Sequence, residues 1–164
     1  MQAMVLAASG GPLALEQRPD PKPAAGEICM RVEACGVCRT DLHIVDGELP
    51  DIRLPIVPGH EIVGIVEALG PGVTSHRLGQ RVGVPWLGHT CGACPYCSTH
   101  RENLCDHPVF TGHGRDGGFA THTVADAAYA FDLDGFDDPV AAAPLLCAGP
   151  VSYTHLTLPT IYSV

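Results

Sequence analysis

Residues 91–105 read CGACPYCSTHRENLC, four cysteines at the spacing C-x2-C-x2-C-x7-C. Four thiolates this close in sequence can surround one tetrahedral zinc, each about 2.3 Å from the metal. With every position taken by protein, such an ion would be structural. Its binding could hold the loop with about 10–16 kcal/mol of free energy. Two other readings of the run remain open: buried or disulfide-linked thiols, and an iron–sulfur site, since dense Cys-x2-Cys runs also hold clusters. The x7 gap and the lack of a closing Cys-Pro weigh against the cluster.

Around this run, 19 Gly and 15 Pro punctuate the chain, which favours short strands and turns over long helices. EICMRVEA (27–34) alternates Ile28, Met30, Val32 and Ala34 against Cys29, Arg31 and Glu33, the pattern of a strand with two unlike faces. HEIVGIVEALG (60–70) and QRVGVP (80–85) are β-branched runs bounded by Gly and Pro, and GGFATHTV (117–124) reads similarly. CRTDLHIVDG (38–47) fits a short helix ending at Gly47. DDPVAAAPLLCAG (137–149) opens like a helix N-terminus, with Pro144 weakening its middle. The expected fold is mainly β with short helices.

Composition narrows the partners. With 46% hydrophobic and 16% charged residues in 164, the chain reads as a folded domain. Nine Lys and Arg against 18 Asp and Glu give a net charge of −9 without a basic cluster, so a nucleic-acid partner is not expected. MQAMVLAASGGPLALEQR lacks the basic start of a secretion signal, and the uncharged stretch 139–164 is too rich in Pro and Gly to span a membrane. Eight cysteines without a signal point to metal or catalytic thiols in a reducing compartment, by default the cytoplasm.

Three further potential ligands are dispersed: Cys38 in CGVCRTDLH, His60 in PGHE and Cys147 in LLCAG. Two cysteines and a histidine with a vacant fourth position make a catalytic zinc arrangement. Spacing alone does not single them out, because a lone buried Cys or His is ordinarily core. CGVCRTDLH, PGHEIVG, the four-cysteine run and LLCAG occur, however, in the order found in zinc-dependent alcohol dehydrogenases of the medium-chain family. Residues 1–149 resemble that family, and within it the bacterial and yeast-like enzymes. The resemblance implies a GroES-like β-barrel catalytic domain over 1–149, with a zinc lobe at about 89–107 and two zinc ions per chain.

It also implies roles. Cys38, His60 and Cys147 match the catalytic zinc ligands, and Cys91, Cys94, Cys97 and Cys105 the structural ones. Glu61 matches an acidic neighbour able to approach the metal. Thr40 matches the hydroxyl that bonds the substrate oxygen, and His43 the outer member of the proton relay, placed beside the cofactor. Arg39 matches a contact to the cofactor pyrophosphate, Asp41 a partner that fixes the tautomer of the ligand histidine, and Trp86 a wall of the substrate pocket. Cys29 and Cys35 are left as spare thiols, Cys35 near the site without being a ligand. His76, His89, His100, His107, His113 and His122 are expected on the surface or in loops.

The implied reaction interconverts small-molecule alcohols with aldehydes or ketones, using NAD or NADP, in a full-length homo-oligomeric enzyme. The one G-x-G-x-x-G here, GHGRDG (112–117), precedes a strand-like run rather than a helix, so it reads as a turn and not as a nucleotide site. The Rossmann domain that follows in the family is therefore expected to be missing, and the fragment inactive by itself. PVSYTHLTLPTIYSV (150–164) has no amphipathic period. It resembles one translated frame of a transposase-library sequencing adapter, which implies a non-native tail, disordered or loosely packed. A non-enzymatic, zinc-stabilised GroES-like binding module is the alternative, though a module needs no Cys38–Thr40–His43 set. A zinc-free quinone reductase relative conflicts with the full set of ligands.

Overall fold

The chain enters through an antiparallel hairpin, β1 (Gln2–Leu6) against β2 (Leu13–Gln17). In order there follow β3 (Glu27–Gly36), helix α1 (Arg39–Asp46), β4 (Glu61–Leu69), β5 (Arg81–Val84), β6 (Leu87–His89), β7 (Val109–Phe110), β8 (His122–Asp126), β9 (Phe131–Asp132), α2 (Pro139–Ala142) and α3 (Ala148–Thr157). The computed structural model describes residues 1–157, with side chains described through residue 152.

The main sheet runs β8–β3–β4–β5–β9, each neighbour antiparallel. Its core gathers Ile28, Met30, Ile62, Val66, Val82 and Val84, with Ala125 from β8. Burying a side chain of this kind contributes roughly 1.5–3 kcal/mol. β4 is covered on both faces, which its unbroken β-branched run anticipates. Ile62 and Val66 face the main core, while Val63 packs against Ala142 and Ala143 near the C-terminus. That second contact carries the C-terminal segment to the same strand that begins at Glu61.

β6 pairs with β7, and the four-cysteine run loops out between them through two short 3₁₀ turns, Cys97–Thr99 and Glu102–Leu104. Helix α1 starts from an extended Cys38, where the Asp41 carboxylate accepts the Cys38 backbone N–H at 2.9 Å. It stops at Gly47, whose φ of 75° is left-handed. Ile44 fastens α1 by burial among Leu6 and Ile56.

Three expectations need correcting. β8 begins at His122, five residues later than the run GGFATHTV implied; Gly118, Phe119 and Thr121 are bends around one bridge from Ala120 to Ala3. Cys29 is buried together with Ile28 and Met30, because both faces of β3 are covered at that end, so strict alternation fails there. The segment after Gly149 is not structureless through residue 157: it continues α3, and Pro150 falls in the first turn, where a missing N–H costs no helical bond. The rest of the expected tail, residues 158–164, lies outside the described residues. Pro144 does interrupt the helical run, converting Ala143–Leu146 to a 3₁₀ turn ahead of Cys147.

Candidate metal centres

Two groups of side chains stand out as able to hold a metal among the described residues. In the lobe, the sulfurs of Cys91, Cys94, Cys97 and Cys105 all lie within 4.8 Å of one another. Cys94 and Cys97 are 3.5 Å apart, as are Cys91 and Cys105, and none is in a disulfide. Backbone N–H groups converge on the sulfurs: Cys91 donates to Cys105 at 3.4 Å, Cys94 to Cys91 at 3.4 Å and His107 to Cys105 at 3.3 Å. Such donors stabilise thiolates. The N–H groups of Cys97 and Asp106 hold the Cys94 thiol down to about 6, and those of Ala93 and Cys94 lower Cys91. At Cys97 the Thr90 hydroxyl acts in the same direction, but burial and the sulfurs of Cys94 and Cys105 outweigh it and carry the thiol to about 11.

The second group is assembled from distant parts of the chain. β3 and β4 pair so that Gly36 faces Glu61 and Cys35 faces Ile62. This register brings the start of α1 beside His60. The packing of Val63 on Ala142 and Ala143 delivers Cys147. One ligand atom each of Cys38, His60, Glu61 and Cys147 then lies within 4.8 Å of the others. Gly59 makes the approach possible. Its φ is 97°, and a Cβ there would stand 2.6 Å from the Phe119 ring and 2.9 Å from the Cys35 sulfur.

Asp41 organises this site from behind. One oxygen accepts from the Gly59 N–H at 3.1 Å and meets His60 Nδ1 at 3.0 Å; the other accepts from the Cys38 N–H at 2.9 Å. A carboxylate at Nδ1 fixes the tautomer and turns Nε2 toward the cluster. His60 is completely buried, and its Nε2 has no hydrogen-bond partner. A buried imidazole nitrogen without a partner is costly unless something coordinates it. Two sulfurs, this nitrogen and a carboxylate form a donor set suited to zinc.

The electrostatics agree. Burial, then the charges of Cys38, Glu61 and Asp41, push the Cys147 thiol up to about 12. Burial also works against charge at Cys38, yet the Thr40 N–H and His60 hold that thiol below its ordinary range. For His60 burial favours the neutral ring, but the hydrogen bond and charge of Asp41, with Cys38, hold its pKa above the usual value. The pocket thus crowds negative charge that a cation would relieve.

The other predicted residues sit around this centre at different removes. Thr40 Oγ1 is 3.9 Å from the Cys38 sulfur. The Trp86 ring stands edge-on to His60 at 5.0 Å and stacks on Phe110 at 4.7 Å. Glu61 is buried and accepts the Ala148 N–H at 3.0 Å. His43 is one turn along α1 from Thr40, half-exposed, and Arg39 is exposed at the helix start. Cys35 lies outside the ligand set, and burial pushes its thiol to about 12. Two contributors escaped sequence reasoning. His113 packs edge-on against Trp86 at 5.9 Å, and Glu48 pairs with His43. An aromatic or acidic residue in a loop carries no signal of such a contact.

Residues 24–135 match the family described as Alcohol dehydrogenase GroES-like domain. An alcohol dehydrogenase of Geobacillus stearothermophilus is 44% identical over 157 residues, covering 95% of this chain and 46% of the relative. One from Rhizobium meliloti (strain 1021) is 44% identical over 158 residues, with the same two shares. A solved cobalt and zinc bound thermostable alcohol dehydrogenase from Pyrobaculum aerophilum superimposes with a TM-score of 0.80 at 32% identity, covering 88% of this chain and 44% of that one. The chain therefore spans about half the length of the curated relatives it matches. By the match over 24–135, the chain belongs to the alcohol dehydrogenase GroES-like domain family.

Proposed function

We propose that this chain is the zinc-holding catalytic half of an NAD(P)-dependent alcohol dehydrogenase that interconverts small-molecule alcohols with aldehydes or ketones. The observation that carries this reading is the buried, partnerless Nε2 of His60, set among Cys38, Glu61 and Cys147. Cys38, His60 and Cys147 would hold a zinc ion there, and the four lobe cysteines a second. When bound, zinc supplies Lewis acidity, which lowers the pKa of a water from 15.7 to about 7 and acts alike on an alcohol oxygen. Nicotinamide, held by a second domain, would accept the hydride.

The chain's own residues have the remaining work. Asp41 occupies Nδ1 of His60 and so keeps Nε2 turned toward the cluster. Thr40 carries a hydroxyl that accepts and donates at once, so it can take the alcohol proton while passing its own outward toward His43. Trp86 closes one side of the centre with apolar surface and helps exclude water. Arg39, exposed at the start of α1, is free to meet an anionic cofactor.

Metal analysis of the purified chain should find two zinc ions. In the full-length gene product, Thr40→Val should lower kcat by about 10²–10⁴-fold with both ions retained. Iron in the lobe, or a full-length Thr40→Val variant with ordinary turnover, would defeat the reading. The second result would favour a binding module.

A further inference from the structure

We infer that Glu48 is a positioning residue for the proton route, its carboxylate accepting the Nδ1–H of His43 so that Nε2 is left as the proton-accepting atom. The inference rests on the alcohol dehydrogenase reading given above. It starts from a contact: His43 Nδ1 and Glu48 Oε2 are hydrogen-bonded. A neutral imidazole has one N–H and one lone pair, and its partner decides which nitrogen carries which. Without a partner, a histidine ring favours the proton on Nε2. That tautomer would present a donor where the route needs an acceptor.

The backbone builds the pairing. Gly47 takes a left-handed turn at the end of α1, and the chain doubles back so that the Glu48 N–H donates to the His43 carbonyl at 2.9 Å and the Gly47 N–H to Ile44 at 3.2 Å. This is the Schellman arrangement. The turn is also wedged: a Cβ on Gly47 would come 2.6 Å from the Ser9 Cβ. His43 and Glu48 are thus joined through both main chain and side chain.

Helix stability does not explain the placement. A carboxylate just past a helix C-terminus opposes the helix dipole. Both partners are also open to water, with side chains 34% and 53% exposed, so the ion pair adds little to folding. Orientation is what the contact supplies. A proton leaving the alcohol oxygen moves to Thr40, whose own hydroxyl proton moves outward. The lone pair on His43 Nε2 receives it, Glu48 balances the imidazolium charge, and water takes the proton from the exposed ring.

The test uses the zinc-loaded chain labelled with ¹⁵N-histidine. Long-range ¹H–¹⁵N spectra of neutral His43 should show the proton on Nδ1. Glu48→Leu should move it to Nε2, whereas Glu48→Gln, whose amide oxygen still accepts, should keep it on Nδ1. Unchanged signals from the other histidines establish that the variants fold. A wild-type His43 protonated on Nε2, or no response to Glu48→Leu, overturns the inference. In the full-length enzyme Glu48→Leu should lower kcat on the order of tenfold to a hundredfold with KM unchanged, and added imidazole should restore turnover. An active enzyme indifferent to Glu48→Leu also overturns it. A full-length protein without alcohol oxidation, whose His43 still carries its proton on Nδ1, instead defeats the functional reading and leaves the pair standing.

Discussion

The two candidate metal centres are built in opposite ways. The lobe takes four like ligands from one loop of 15 residues, near the surface, with backbone N–H groups aimed at the sulfurs. The second takes unlike ligands from the N-cap of α1, the start of β4 and the turn before α3, with His60 and Glu61 buried beside Asp41 and the two cysteines half-buried. In the lobe the ligands organise the fold locally, alongside short-range hydrogen bonds such as Ser98 N–H to the Cys94 carbonyl and the Thr99 hydroxyl to the Pro95 carbonyl. In the second centre the sheet organises the ligands. Metal should therefore be an agent of folding in the first and a guest of the fold in the second.

The sharpest way to break this contrast is to remove one lobe ligand. Cys94→Ser should reduce the zinc content from two ions to one and forfeit much of the roughly 10–16 kcal/mol that a structural zinc contributes. Hydrogen exchange should then quicken between β6 and β7 while β3 and β4 stay protected. Retention of two ions, or slow exchange throughout the lobe, would show that its order does not depend on metal.

Removing Asp41 probes the other centre. Asp41→Ala leaves His60 Nδ1 and the N–H groups of Gly59 and Cys38 buried without their acceptor. Breaking a buried pair of this kind costs about 3–5 kcal/mol. Zinc affinity at Cys38–His60–Cys147 should fall by about 10–100-fold, and that of the lobe should not change. Equal loss at both sites in a competition titration would mean that the two are not independent.

Acidification should separate the centres more gently. Protons compete with metal for each ligand, so a ligand with a higher pKa gives up its metal at higher pH as the solution is acidified. Cys147 is pushed to about 12 and His60 is raised, whereas Cys94 is held near about 6 and Cys91 is lowered. Cys97, at about 11, works against the trend within the lobe, and Cys38, held below its ordinary range, works against it within the dispersed centre. The dispersed centre should release zinc first as pH falls and the lobe last, as followed with a chromogenic chelator and the Cys94→Ser variant as reference. The reverse order would contradict the assignment.

The same contrast explains what could be read from the residues alone. The lobe was legible from spacing because its geometry is local. Cys38, His60 and Cys147 were legible only through their motifs, since their meeting depends on the β3–β4 register and on Val63 packing against Ala142. The end of α1 followed from Gly47. The start of β8 did not, because GGFAT has the composition of a strand but spends most of its hydrogen bonds on Val57–Gly59 and on β1 rather than in the main sheet. Glu48 was invisible, since a left-handed turn at Gly47 brings it back to His43 across the helix end.

Cys35 supplies the smallest effect and the finest test of the comparison. CGVC at 35–38 repeats the Cys-x2-Cys spacing of the lobe, and that spacing alone does not tell a ligand from a spare thiol. The structure separates them. Cys35 still belongs to β3, paired with Ile62, and its sulfur packs under Gly59 and Gly118. Cys38 stands at the N-cap of α1, where its sulfur joins His60. Its sulfur lies outside the group that gathers Cys38, His60, Glu61 and Cys147. Cys35→Ala should therefore preserve both zinc ions and cost about 1 kcal/mol from lost packing alone. Denaturant unfolding with parallel metal analysis measures both quantities. Loss of an ion from this variant would place Cys35 among the ligands and dissolve the distinction between a centre read from spacing and one read from the fold.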